Sequence, residues 1–216
     1  MGITIHYRGK LDDLARLENL CNELADIAEW MGWKSQRLDD DWSELPDARL
    51  VYGSDITEIK GNLALKGIMI EPEAKLEDIE FYFDCDGNLR SIMNTVLICE
   101  GSLKPEAAWN FVKTQFAGPD IHIWVIGLFK HVKKHYMSKL EVVDDGEYWE
   151  TGNRKTLEQK MRFIDSKIKL LSTELSSERF GNLSGLSADE IADIIEEILV
   201  KKGKKSIDPS SPDQTL

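Results

Sequence analysis

The sequence predicts an α+β protein: a mostly antiparallel sheet packed by helices, followed by a C-terminal helical hairpin or arm. Three observations carry this expectation. Residues 10–33 place apolar side chains at alternating short spacings, the period of an amphipathic helix. Residues 76–101 hold two apolar runs around Asp86-Gly87, a dipeptide suited to a tight hairpin turn. Leu157, Met161, Ile164, Ile168, Leu171 and Leu175 form a heptad seam.

The elements follow in order. The opening stretch GITIHYRG alternates and reads as a strand. The helix of 10–33 uses Leu11, Leu14, Leu17, Leu20, Cys21, Leu24, Ile27, Ala28 and Met31, and Gly32 stops it. KSQRLDDDWSELPDARL is polar and turn-rich and reads as a surface loop. Strands are expected at 48–54 and 62–72, then in the hairpin of 76–101, with Cys99 ending its second strand. Residues 104–118 read as a helix opened by Pro105, and 118–140 as another that begins at Pro119 or Asp120. Residues 141–151 read as a short hairpin or bent strand. Ser187 and Glu190 make a capping box for a last helix. The expected domains are 1–152, a helical extension at 153–202 and a disordered polar tail at 203–216.

With 216 residues and 42% hydrophobic content, the chain has ample material for a core. No apolar run is long enough to span a bilayer, and no signal peptide opens the chain, so a soluble cytoplasmic protein is expected. Three scattered cysteines argue against a disulfide framework. Residues 1–150 hold 28 acids and 16 bases, whereas 151–216 hold 11 of each, so the first region carries the whole net charge of −12. That charge opposes nucleic acid and anionic membrane and suits a basic protein partner.

Few motifs carry chemistry. Phosphate-loop, dinucleotide, nucleophile-elbow, kinase and zinc-finger signatures are absent, and no cofactor is expected. His131 and His135 share a helix face with metal-ligand spacing, but lysines crowd them and no acidic third ligand lies in the same turns. Asp84, Asp86 and Asn88 have the spacing of a calcium loop's first ligands and equally that of an ordinary turn.

The acidic, aromatic stretch DDGEYWETGN (144–153) raises a sharper question. A strand that follows a helix returns toward the helix start, which would bring Glu147, Tyr148, Trp149 and Glu150 toward His122 and Gln115. Gln115, His122, Tyr148 and Trp149 are then candidates for a ligand or partner pocket. In an extended segment the two rings point to opposite faces, one onto the core and one outward. The functional expectation is a non-enzymatic interaction or accessory module. The alternatives are a small-molecule enzyme, such as a hydrolase, using His122 with Glu147 or Glu150, and a homo-oligomer built on the 157–175 seam.

Overall fold

A computed structural model describes residues 2–53, 56–72, 76–175 and 187–203. The chain divides into two compact units, residues 1–158 and 159–216. Antiparallel sheets pack against helices in the first unit, the α+β arrangement expected. No helix among the described residues is long and apolar enough to cross a membrane.

Strand β1 (Thr4–Arg8) leads through a 3-10 turn, capped by Asp13, into helix α1 (Leu17–Trp30). Leu17, Leu20, Cys21, Leu24 and Ala28 form its buried face, as the spacing requires. Gly32, at φ +70°, ends the helix, and the Trp33 N–H turns back onto the Ala28 carbonyl at 2.8 Å.

Strands β2 (Lys34–Asp39), β3 (Arg49–Tyr52), β4 (Thr57–Lys60), β5 (Lys66–Glu71), β6 (Ile79–Phe83) and β7 (Leu89–Arg90) follow. They form a four-stranded sheet, β2-β5-β6-β7, and a separate β3-β4 ribbon. Two of these strands depart from the sequence reading. β2 falls in the expected loop, and β4 has no apolar alternation. Both carry charged, mostly exposed residues that protect a sheet edge, and that composition hides them.

Gly67 sits in β5 opposite Tyr82, at φ +150°. A Cβ there would lie 2.0 Å from the Phe81 carbonyl oxygen. Gly67→Ala is expected to cost about 3 kcal/mol or more in urea unfolding, from strain plus the displaced strand. Gly32→Ala, with nothing within 4 Å of its added carbon, is expected to cost only about 1 kcal/mol.

The expected hairpin forms around Asp86-Gly87, pairing Phe83 with Leu89 and Tyr82 with Arg90, but the rest of its second strand is helix α2 (Ile92–Cys99). Ser91 decides this: its hydroxyl accepts the Asn94 N–H at 3.0 Å and caps a helix that an apolar run alone does not announce. The helix expected at 104–118 is reduced to a 3-10 turn, Pro105–Ala107, followed by β8 (Asn110–Lys113). Here Asn110 and Val112 point inward and Phe111 outward, and pairing with β1 outweighs the helical composition.

Helix α3 (Pro119–His135) opens at Pro119, and β9 (Glu141–Asp144) completes a three-stranded sheet, β8-β1-β9. A single helical turn, α4 (Tyr148–Thr151), replaces the expected extended segment. Helix α5 (Arg154–Leu175) carries the heptad seam, and helix α6 (Ala188–Gly203) follows. The capping box of α6 forms: the Ser187 N–H donates to Glu190 Oε2 at 2.8 Å, and the Glu190 N–H donates to Ser187 Oγ at 3.3 Å. Except for Gly203, the expected tail lies outside the described residues.

Tyr7, Phe81 and Phe129 join the two larger sheets and α3 at the centre of the core. Tyr7 and Phe129 ring centroids are 4.5 Å apart, and Phe81 stands edge-on to Phe129 at 5.9 Å. This packing fixes the α3 face on which His122 lies.

Candidate functional site

His122 stands one turn into α3, three and four residues before the buried Val125 and Ile126. That spacing turns the imidazole into the core, and its exposure is 0%. Burial requires both ring nitrogens to find partners. The Nε2–H donates to Asp144 Oδ2 at 3.1 Å, and Nδ1 shares a 2.7 Å bond with the Thr114 hydroxyl. Thr114 directly follows β8 and Asp144 ends β9, so the two edge strands of one sheet clasp the helix through this chain of groups.

Asp144 does more than hold His122. Its Oδ1 accepts the Gly146 N–H at 2.7 Å. Its Oδ2 also accepts the N–H groups of Tyr148 at 2.7 Å and Trp149 at 3.0 Å. Burial pushes the carboxyl pKa up, but His122 and the backbone donors outweigh burial and hold it below its ordinary value. The carboxylate therefore nucleates α4, and the turn packs closely. A Cβ at Gly146 would lie 2.6 Å from Leu157 Cδ1 and 3.0 Å from His122 Cε1.

The sequence places His122 beside the 144–150 stretch, and the structure brings them together through Asp144. Glu147 and Glu150 are exposed, and the Glu147 backbone takes the left-handed conformation at φ +58°. Tyr148 and Trp149 meet the carboxylate through their backbone, not their rings. Both rings are half-buried against the core rather than on opposite faces, with Lys130 Nζ 5.9 Å and 5.7 Å from their centroids. The helical turn is the reason: consecutive residues differ by about 100° there, not by the half-turn of a strand. Gln115 is buried one residue past Thr114, and its Oε1 accepts the Ile3 N–H at 3.0 Å.

Carboxylate, imidazole and hydroxyl in this order can activate a nucleophile when the hydroxyl meets a substrate. Thr114 is 0% exposed. Among the described residues, cavities of about 450, 400 and 340 Å³ open in the first unit, and Thr114, His122 and Asp144 line none of these. The buried chain of groups ties the ends of two strands to α3. Thr114 escapes a sequence reading because its hydroxyl resembles any strand-end threonine. Asp144 has a faint signal, an aspartate placed to accept from the N–H groups of the turn that follows.

The remaining candidates separate from this cluster. His131 and His135 stack with ring centroids 4.6 Å apart, and His131 Nε2 lies 2.8 Å from Glu23 Oε1. No group of three His, Cys, Asp or Glu side chains suited to a metal occurs among the described residues. Asp84 organises its own turn: Oδ1 accepts the Asp86 and Asn88 N–H groups, and Oδ2 accepts Arg90 Nε–H at 3.1 Å. Cys21 is buried, and burial pushes its thiol up to about 11.

Known proteins add no further constraint: no family model, no curated protein and no solved structure matches the chain.

Proposed function

We propose that this protein is a non-enzymatic interaction module that docks a protein partner on the open face of the β8-β1-β9 sheet. One observation carries the reading. Phe111 and Val143 lie on either side of His6, in register across three strands. Phe111 is 58% and Val143 50% exposed. The outward face of an antiparallel sheet is ordinarily polar, so two exposed apolar side chains flanking an imidazole there are informative. Phe116, 52% exposed, adds a third large side chain just beyond β8. The acid excess of residues 1–150 favours a partner with basic residues around its apolar contact.

The enzyme reading has less support, because His122 is enclosed and its ring nitrogens meet Thr114 and Asp144, whereas Glu147 and Glu150 are exposed. The test is capture by immobilised full-length protein, compared with Phe111→Glu/Val143→Glu. Capture should fall about tenfold or more in the double variant and weaken as salt rises. Capture by the double variant equal to that of the parent protein overturns the proposal.

A second reading, self-association through the heptad seam, is favoured by the pattern along α5. Leu157 and Met161 are buried, Ile164 and Leu171 are half-buried, and Ile168 is exposed; the Leu175 side chain lies outside the described residues. Sedimentation of the full chain and of Ile168→Glu tests it. A parent chain that is monomeric at high concentration ends that reading.

A further inference from the structure

We infer that the open cavity of about 450 Å³ beside β1 binds a dianionic oxyanion, the phosphate group of a small phosphorylated molecule. Arg8, Lys10, Arg90 and Lys139 line it, together with two carboxylates, Glu106 and Glu141. The lining therefore carries two more positive than negative charges, in a region with a large excess of acids. Asp84, ion-paired with Arg90 just behind the lining, offsets part of that surplus, and an oxyanion balances the positive charge that remains.

The two guanidinium groups are held in place before any ligand arrives. Arg90 Nε–H donates to Asp84 Oδ2 and Nη1–H to the Pro105 carbonyl, each at 3.1 Å. This leaves Nη2 unengaged among the described residues. Arg8 lies 4.3 Å above the Trp109 ring, with Nε–H and Nη2–H on Glu141 and Nη1–H on the Glu106 carbonyl. Positions fixed by the fold lose little entropy on binding, and the Nη–H groups left over from these bonds are the donors offered to phosphate oxygens.

The lysines complete the site. Lys10 and Lys139 are exposed, and Lys139 lies near enough to Asp12 to lower that carboxyl's pKa. Two guanidinium groups anchored by the fold and two ammonium groups without an ion pair among the described residues surround one depression, the composition of an anion site. At a Debye length of about 8 Å the acids elsewhere are largely screened, so the local charge decides binding.

The test titrates the full-length protein with inorganic phosphate while following backbone amide resonances. Residues around Lys10, Asn88, Arg90 and Lys139 should shift along one saturating curve. Lys10→Gln/Lys139→Gln should weaken binding about tenfold at unchanged Tm. The same changes at the exposed Lys34 and Lys104, which do not line the cavity, should leave affinity alone. Succinate, a flexible dicarboxylate whose two charges sit on separate groups, should bind more weakly than phosphate. Equal responses to phosphate and to chloride at matched ionic strength overturn the inference. So does an affinity unaffected by Lys10→Gln/Lys139→Gln, or lowered as much by the Lys34 and Lys104 changes. Phosphate and succinate of equal affinity overturn the assignment to a phosphate group.

Discussion

Asp144→Ala is expected to destabilise the protein by about 3–5 kcal/mol in urea or thermal unfolding. The carboxylate accepts from His122 and from three backbone N–H groups. Alanine would leave those donors without it inside a close-packed turn. Asp144→Asn is expected to be nearly as damaging, because an amide NH₂ in place of Oδ2 would face three donors. Glu150→Ala, at an exposed position, should change stability by no more than about 0.5 kcal/mol. Equal effects at Asp144 and Glu150 would refute the structural role of the clasp. The pH dependence has a definite sign. The folded-state pKa of Asp144 lies below the ordinary value of 3.8. Its stabilisation is therefore fully present above that value and lost as pH falls through the folded pKa.

Glu80→Gln is expected to stabilise the protein at pH 8 by on the order of 3 kcal/mol and to have little effect at pH 4. Glu80 lies in β6, and burial raises its pKa from 4.5 to about 7; the Ile92 N–H bond lowers it and nearby Asp78 adds to the rise. Below 4.5 both folded and unfolded chains hold the proton. Between 4.5 and 7 the unfolded chain ionises first, so folding stability falls as pH rises. Above that window the penalty is constant. Glutamine keeps an acceptor for Ile92 without the charge. Urea unfolding of both proteins from pH 4 to 8 separates this behaviour from that of Asp144, whose window lies at lower pH. A stability difference independent of pH would contradict the buried-acid account.

The amphipathic helices were the most legible elements. In α1 and α3 the apolar spacing points one stripe inward, and local composition and tertiary burial agree. The strands were less legible. An edge strand such as β2 needs hydrogen bonds from β5, and its outward side chains carry no apolar signal. Residues 92–99 and 110–113 exchange their expected structures for the same kind of reason. A cap at Ser91 makes one apolar run a helix, while β1 draws the other segment into a sheet.

The candidate site divides similarly. His122 shares the stripe of Val125, Ile126 and Phe129, so its inward direction is implicit in helical period. Its partners are not, because Thr114 and Asp144 reach it from the ends of two different strands. Three-dimensional pairing, rather than local sequence, decides which of several acids in 144–150 enters the core. Asp144 is chosen because it occupies the inward register of β9, while the following turn carries Glu147 and Glu150 to the surface.

By itself, the sequence determined the α+β class, the helical stripes, the stop at Gly32, the cap of α6 and the concentration of negative charge in residues 1–150. These follow from local periodicity, from single-residue backbone preferences and from counting. Only the tertiary structure decided that the strands form separate sheets, that His122 is enclosed by Thr114 and Asp144, that Phe111, His6 and Val143 share an open face, and that four cations line one cavity. Each of those depends on contacts between distant segments, whose free energy comes from burial and strand pairing and has no counterpart in local pattern.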